Sequence, residues 1–326
     1  MSFTVVVVLH DSTAELALLL RSVDAHLSER PQVVVVDTGA LDGGAELAAA
    51  WGAEVLERRD NPGFGAASNA GLERARHDVS VLLNPDCELL DGSLAKLAAL
   101  ARAHARALHA PRLLNVDGST QRSAHPLPGT LGALLGAALH APLLPRPLRD
   151  RLEPYRAEHA RTVGWAIGAC LAGATATLRR LGPFDPAAHL FAEDMELCLR
   201  ARAAGMPTVL HPQLRVRHTG GHAILREGEP FDVLAARRRA VVGATLGRRA
   251  LALDDGAQAL TFASRAAGHA LLGGHAGRPA RQLAALARAR RGQNPQIAGG
   301  EPVAAAWGSD PVSADDDPAF VDRDHA

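Results

Sequence analysis

Several short stretches place oxygen or imidazole side chains where they could do chemistry. In "VLLNPDCELL", residues 81–90, an apolar run ends in Asn84-Pro85-Asp86. Two oxygen side chains at that spacing in a tight turn can face one cation and the phosphates it bridges. The same tripeptide also reads as an ordinary turn, and neutral Asn84 makes a weaker cation site than an Asp-x-Asp. Asp37 closes another apolar run, "PQVVVVD". A carboxylate there can accept from a nucleoside ring N–H or a ribose hydroxyl, or it can cap the next helix, a role that Asp42 also fits. Glu193 and Asp194 stand at a helix start in "LFAEDMELCLRARAAG". The helix dipole favours acids at that end. Their neighbours Phe184, Leu190 and Phe191 are apolar, and a partly desolvated carboxylate makes a better general base. His218, in "RVRHTGGH", follows a strand and precedes Gly220-Gly221. It could ligate a cation, meet a phosphate or be structural.

"NPGFGAASNAG", residues 61–71, has fingerprint-like spacing at Gly63 and Gly65. The glycines of a dinucleotide fingerprint must follow the first strand. Here the first strand runs into "HDSTAEL" and the glycines come after the third, which argues against a dehydrogenase. A helix N-terminus rich in small residues still suits close approach of a nucleotide, or simply tight helix–sheet packing. Asn69 is harder to explain as packing. No Ser-His-Asp or Walker pattern stands out.

The elements that would position these residues alternate strand and helix. "FTVVVVL", "PQVVVVD", the weaker "AEVLER" and "DVSVLLN" are β-branched runs of the kind found in parallel strands covered on both faces. Between them lie "STAELALLLRSVDAHL", with Ser12 or Thr13 as cap and Leu16, Leu19, Leu20, Val23 and Leu27 on one face, "GGAELAAAWG", closed by Gly52, and "GFGAASNAGLERAR". The pattern predicts an α/β fold with a doubly wound, mostly parallel, Rossmann-like sheet, whose strand ends share one ligand-binding edge. Residues 130–150 read as a short helix and an irregular loop. After about residue 225 come Ala-rich helices with Arg clusters, and from residue 292 an acidic segment without helical period, expected to be disordered.

Composition narrows the choices further. The formal net charge of the 326 residues is +0, which gives no bias toward nucleic acid. Cys87, Cys170 and Cys198 are widely spaced with no CxxC pair, so a cysteine-rich zinc site is not expected and a reducing cytoplasm is. The N-terminus reads as a strand rather than a signal peptide. No apolar stretch of about 18 residues predicts a membrane span.

Taken in order, "VVVVLHDS", "VVVDTGALDGG", "NPGFGAASNAGL", "LLNPDCELL", "GPFDPAAHLFAEDMELCLRARAAGM" and "VRHTGGH" resemble the inverting family 2 glycosyltransferases of the GT-A fold, in particular the rhamnosyltransferase-like enzymes. The resemblance covers roughly residues 3 to 222. It implies a catalytic domain over 1–225, which the sequence pattern follows with an Arg-rich helical extension over 226–291 and an acidic tail over 292–326, expected to be disordered. It implies that Asp37, Thr38, Gly65, Asn69, Asn84 and Asp86 face the nucleotide-sugar donor. Asp86 and His218 would hold a divalent cation, Mg2+ or Mn2+. Asp194 would be the base that deprotonates the acceptor hydroxyl, with Trp165, Gly168 and Glu193 on the acceptor side. The usual Asp-Asn-x-Ser is Asp37-Thr38-Gly39-Ala40 here, and Asn84 replaces the first acid of the metal turn. A rhamnosyl donor is the subgroup expectation, with UDP-galactofuranose and UDP-hexoses open. So are another nucleotide-sugar or nucleotidyl transferase, and a degenerate nucleotide-sugar-binding protein. The acceptor would be a glycan or lipid-linked glycan of the cell envelope, and the enzyme cytoplasmic. Arg237, Arg238, Arg239, Arg248, Arg249, Arg288, Arg290 and Arg291 alternate with apolar residues, as on a helix that lies on the inner face of an anionic membrane, or on a solvated helix face packed on the catalytic domain.

Overall fold

The computed structural model describes residues 2–39, 42–138, 145–181, 184, 192–220, 230–271 and 277–293. Ala40, Leu190, Phe191, Gly221, His222, the boundary expected near residue 225 and the tail beyond residue 293 lie outside the described residues.

Strands β1 (Thr4–Leu9), β2 (Gln32–Asp37), β3 (Glu54–Glu57) and β4 (Val79–Leu83) alternate with helices α1 (Thr13–His26), α2 (Gly44–Trp51) and α3 (Phe64–Glu73). They form a parallel half-sheet in the order β3-β2-β1-β4. Both faces are covered, which is why the runs are continuously apolar. Val5, Val7 and Leu9 share one core with Leu16, Leu19 and Leu20 of α1 and Ala48 of α2. Val6 and Val8 point the other way, towards Leu72 and Ala67 of α3. Ser12 takes the N-cap position of α1, but its hydroxyl donates to the His10 carbonyl at 2.7 Å, so the expected side-chain cap is not made. Gly52 closes α2 in a left-handed conformation, as expected.

Beyond β4 the sheet is mixed. After β5 (Cys87–Leu89), α4 (Ser93–Ala103) and β6 (Leu108–Leu114) come β7 (Ala124–His125), α5 (Leu131–Ala138), α6 (Arg146–Leu152), β8 (Arg161–Val163), β9 (Trp165–Ala166) and β10 (Cys170–Ala174). β10 runs antiparallel between β4 and β6. Then follow α7 (Thr175–Arg180), α8 (Glu193–Ala203) and β11 (Thr208–His218). β11 is parallel to β6 and antiparallel to β5 and β8. β7 and β9 form a separate ribbon.

Two helical segments complete the chain, α9 (Phe231–Leu271) and α10 (Gly277–Arg290). α9 is broken at Gly247, whose φ of 81° is non-helical. Arg238 pairs with Asp254 at 2.7 Å, and Arg239 pairs with Asp255. Partners sixteen residues apart on one straight helix would stand about 24 Å apart, so the two arms of α9 fold back on each other as a helical hairpin about Gly247. The first arm packs on α8, where Val241 and Val242 share a core with Met195 and Leu199. Arg288 pairs with Asp232 at 2.8 Å, and Arg290 reaches Asp255 at 3.8 Å. Arg237 is buried. Much of the expected basic face is therefore neutralised or covered within the chain, while Arg248, Arg249 and Arg291 stay exposed. No helix among the described residues is long and apolar enough to cross a membrane.

Candidate active site

The Asn84-Pro85-Asp86 turn leaves β4 at the edge where its parallel neighbours also end. The Asn84 N–H donates to the Ala169 carbonyl at 2.9 Å, and the Cys87 N–H closes the turn on the Asn84 carbonyl at 3.2 Å. The antiparallel register of β5 with β11 sets Cys87 opposite His218. A histidine 132 positions downstream of Asp86 is thereby brought beside it, with Nε2 3.3 Å from Asp86 Oδ1 and 3.4 Å from Asn84 Nδ2. The Gly220 N–H, in a left-handed conformation, donates to Asp86 Oδ2 at 2.9 Å. Burial pushes the Asp86 carboxyl up, but hydrogen bonding and charge from the His218 ring, whenever it also carries a proton on Nε2, and the Gly220 N–H outweigh it, so the group sits below the usual carboxylate range.

Asp86, Cys87 and His218 bring three metal-ligating atoms within 4.8 Å of one another. The thiol is the misfit. Burial pushes Cys87 well above its ordinary value, and its Sγ donates to the Ala169 carbonyl at 3.3 Å. A ligand must be a thiolate, so the usable donors are the Asp86 carboxylate and the His218 imidazole. His218 Nδ1 faces Gln121 Oε1 at 2.9 Å, and Gln121 Nε2 in turn donates to Asn115 Oδ1 at 3.3 Å. That amide orientation puts the His218 proton on Nδ1 and leaves the Nε2 lone pair towards Asp86, the arrangement by which metal-ligating histidines are held. The residues therefore fit a divalent cation.

Asp194 stands in the first turn of α8, after Ala192 in a left-handed conformation (φ 68°). Its Oδ2 accepts from the Gly168 N–H at 3.0 Å and its Oδ1 from the Met195 N–H at 2.6 Å. Burial nevertheless raises the Asp194 carboxyl, against those two donors. Glu193 beside it is pushed up to about 8, first by burial and then by the Asp194 charge. Glu193 Oε2 is buried without a hydrogen-bond partner among the described residues. Arg237, from the first arm of α9, acts on Glu193 in the opposite sense, favouring its ionised form. Trp165 stacks on His125 with ring centroids 4.0 Å apart.

Gly168 and Ala169 join these two groups. The Gly168 N–H holds Asp194, and the next carbonyl, of Ala169, holds the Asn84 turn and Cys87. Consecutive residues thus clasp the candidate base and the candidate metal turn. A Cβ at Gly168 would lie 3.3 Å from the Asp194 Cβ, so a glycine there allows the close approach.

Asp37 and Thr38 occupy the end of β2. Both are buried, and both are engaged within the chain. Asp37 accepts from the Gly39 N–H at 3.1 Å and pairs with Arg59 at 3.1 Å. Thr38 Oγ1 donates to the Leu9 carbonyl at 3.0 Å. Gly65 is buried in the first turn of α3. Asn69 makes a reciprocal pair with the Phe184 backbone, donating to its carbonyl and accepting from its N–H, each at 2.8 Å. Its amide is a strut between α3 and the chain that leads into α8. Arg59 and Gln121 were not singled out from the sequence. The only cue to Arg59 was its basic character after β3, and Gln121 gave none.

Residues 4–176 match the sequence profile of Glycosyl transferase family 2. The chain belongs to that family. The glycosyltransferase is 29% identical over 233 residues to the N-acetylglucosaminyl-diphospho-decaprenol L-rhamnosyltransferase of Mycobacterium tuberculosis, covering 65% of this chain and 74% of that one. Its fold is similar to that of the mannosyltransferase PcManGT from Pyrobaculum calidifontis, solved in complex with GDP-Man and Mn2+, with a TM-score of 0.55 at 15% identity, covering 88% of this chain and 85% of that one. It is also similar to GalNAc-T7 solved with UDP, GalNAc and Mn2+, with a TM-score of 0.56 at 18% identity over 75% of this chain. The chain spans 48% of the length of GalNAc-T7 in that structure. The GT-A arrangement expected from the motifs is thus the fold of this glycosyltransferase, with the antiparallel β10 inserted beside its parallel half.

Proposed function

We propose that this glycosyltransferase is an inverting enzyme of cell-envelope polysaccharide synthesis. It moves a hexosyl or deoxyhexosyl unit from a nucleotide-diphosphate sugar to a hydroxyl of a glycan or lipid-linked acceptor. The observation that carries the reading is the Gly168-Ala169 clasp, which holds Asp194 and the Asn84–Asp86 turn through consecutive residues. Asp194, ionised, takes the proton of the acceptor hydroxyl. The acceptor oxygen bonds to the anomeric carbon while the bond from that carbon to the diphosphate oxygen breaks. A single displacement of this kind inverts the configuration. The nucleoside diphosphate leaves with the electron pair, and Asp194 then releases its proton to solvent. Glu193, protonated and with a free oxygen, can hydrogen-bond the acceptor without competing for that proton.

Asp86 and His218 would hold a divalent cation, and when bound it supplies positive charge against the leaving diphosphate. An imidazole ligand suits Mn2+ better than Mg2+. Asp37 and Thr38, with Arg59 beside them, form the nucleoside end of the site, while Gly65 and Asn69 support the wall next to it. The 29% identical rhamnosyltransferase supports a dTDP-rhamnose donor as the first to test, ahead of UDP-galactofuranose and UDP-hexoses. The diphospho-decaprenol acceptor of that rhamnosyltransferase supports a lipid-linked acceptor met at the inner face of the membrane. Vesicle flotation with and without the chain after residue 225 tests that contact, and equal soluble recovery of both would rule it out.

The Asp194→Asn variant tests the mechanism. It is expected to bind dTDP or UDP with Mn2+ as wild type does and to lose transfer by at least about a hundred-fold. Surviving transfer would remove Asp194 from the role of base.

A further inference from the structure

A second cluster of charge is built from residues other than Asp86 and Asp194. Arg112 of β6, Ser119, Thr120 and Arg122 of the segment after it, and Tyr155, Arg156 and Glu158 line a cleft of about 540 Å³. That volume is within the range of small-molecule sites. The floor is built. Tyr155 is buried, and its hydroxyl accepts from Arg122 Nε at 3.1 Å and Arg156 Nε at 2.9 Å while donating to Glu153 Oε1 at 3.0 Å. Glu153 also accepts from Arg122 at 2.8 Å and pairs with Arg156 at 2.8 Å. One carboxylate and one phenol thus orient two guanidinium forks.

The charges do not balance. Arg112, Arg122 and Arg156 converge on the cleft, Arg215 lies in register with Arg112, and Arg265 of α9 feels the charge of Arg122. Among the described residues Glu153 and Glu158 act on the three lining arginines, and Asp91 acts on Arg215. Arg112 donates from one terminal nitrogen to the Ala157 carbonyl, while its Nε is buried without a hydrogen-bond partner among the described residues. A buried guanidinium donor without an acceptor costs free energy, and like charges held together do the same. The like-charge cost falls if an anion sits among the arginines. Planar forks with flanking hydroxyls match the several oxygens of a phosphate.

We propose that this cleft is a binding site for a phosphate or diphosphate group, held by Arg112, Arg122 and Arg156 with the hydroxyl of Thr120. The group comes either free in solution or as part of a lipid headgroup. The site uses none of the residues of the Asp86–His218 turn and does not depend on the donor reading. The two adjoin in sequence, because Gln121, between lining residues Thr120 and Arg122, holds His218.

The test uses the full chain in EDTA, so that any cation-dependent binding at Asp86 is silent. Inorganic pyrophosphate is titrated by calorimetry and by thermal shift. Arg112→Gln and Arg156→Gln are each expected to weaken binding about ten-fold or more, the usual worth of a charge-assisted hydrogen bond. Arg156→Lys should lose less, and Asp86→Asn nothing. Ligand-free melting reports the fold of each variant, and where an arginine variant melts early, Thr120→Val, expected to weaken binding a few-fold, carries the test. In parallel, flotation compares phosphatidylcholine vesicles with and without phosphatidic acid. Stabilisation by free pyrophosphate identifies a soluble anion. Capture by the phosphatidic acid vesicles that is lost in Arg112→Gln and Arg156→Gln identifies a headgroup. The proposal is overturned if neither probe binds, if the cleft variants bind as wild type, or if Asp86→Asn abolishes binding equally.

Discussion

Replacing Gln121 with Leu isolates the link between the fold and the cation. His218 is 8% exposed, and its Nδ1 meets Gln121 Oε1 at 2.9 Å, a bond that keeps the Nε2 lone pair free. Leucine removes the acceptor. The neutral ring can then move its proton to Nε2 and donate to Asp86 Oδ1, now 3.3 Å away. The Nε2–H tautomer has that bond to Asp86 open to it in wild type too, so the mutation removes only the Nδ1 bond of the other. A net hydrogen bond is worth about 0.5–1.5 kcal/mol. The swing against the metal-ready tautomer is then of that size, up to about ten-fold in cation affinity. Loss of the outer partner of a ligating histidine commonly costs 10- to 100-fold. The assay is Mn2+ titration followed by the electron paramagnetic resonance of the free ion, which needs no turnover. Gln121→Glu, which keeps an acceptor facing Nδ1, should retain affinity. If Gln121→Leu binds Mn2+ like wild type while remaining folded, the proposed role of His218 as a ligand held by Gln121 is wrong.

Three further outcomes follow from the geometry. His125, lowered to about 3 by burial and then by Arg238 and Arg122, and His211, lowered to about 4 by burial and its neighbouring histidines, both start from 6.5. Each stays neutral in the fold while the unfolded chain takes up protons, so stability is intact above about pH 6.5 and falls as pH drops towards 4. Allowing for partial exposure, the loss is about 2–4 kcal/mol, and chemical denaturation of His125→Phe across that window should show a shallower slope. A Cβ at Gly39 would sit 2.6 Å from both the backbone nitrogen and Oδ1 of Asp11, so Gly39→Ala should cost about 1–3 kcal/mol and weaken nucleotide binding, read by thermal melts with and without UDP or dTDP. Arg238→Met strands the buried Asp254 carboxylate and should cost about 3–5 kcal/mol, much of it recovered by Arg238→Met with Asp254→Leu, as urea melts of the two variants will show.

Much of the site was legible because strand ends are legible. Asp37, the Asn84-Pro85-Asp86 turn and His218 each follow an apolar strand, and in a parallel-half sheet such ends share an edge. The register that sets His218 beside Asp86 was not legible, because pairing of β5 with β11 joins segments far apart in sequence. For the same reason Gln121 and Arg59 could not be found, since their importance lies in whom they meet. Asn69 stood out as a polar residue on a packed helix, but the sequence could not show that its partner is the Phe184 backbone. In "CLAGA" the small residues of β10 carry no sign of strand direction. The arginine stripe showed periodicity, yet whether it meets lipid, water or carboxylate depends on Asp232, Asp254 and Asp255, which approach only once α9 folds back at Gly247.

The protonation pattern gives the site its division of labour. Three carboxyls lie near the Gly168-Ala169 clasp, and their surroundings push them in different directions. Asp86 is held below the usual range despite burial, because an imidazole and a backbone N–H face it. Glu193 rises to about 8, because burial and the adjacent Asp194 charge both oppose its ionisation. Asp194 is raised by burial but keeps two backbone N–H donors, which Glu193 Oε2 lacks. A single proton shared by the pair is thereby favoured on Glu193, which suits Asp194 to the proposed role of base. Arg237 favours the ionised form of Glu193 and so acts against this arrangement, and it reaches the pair from α9. Arg237 thus lets the C-terminal helices contribute to the proton balance of the Glu193–Asp194 pair, and a chain cut before residue 231 would lose that influence along with the core formed by Val241 and Val242 on Met195 and Leu199.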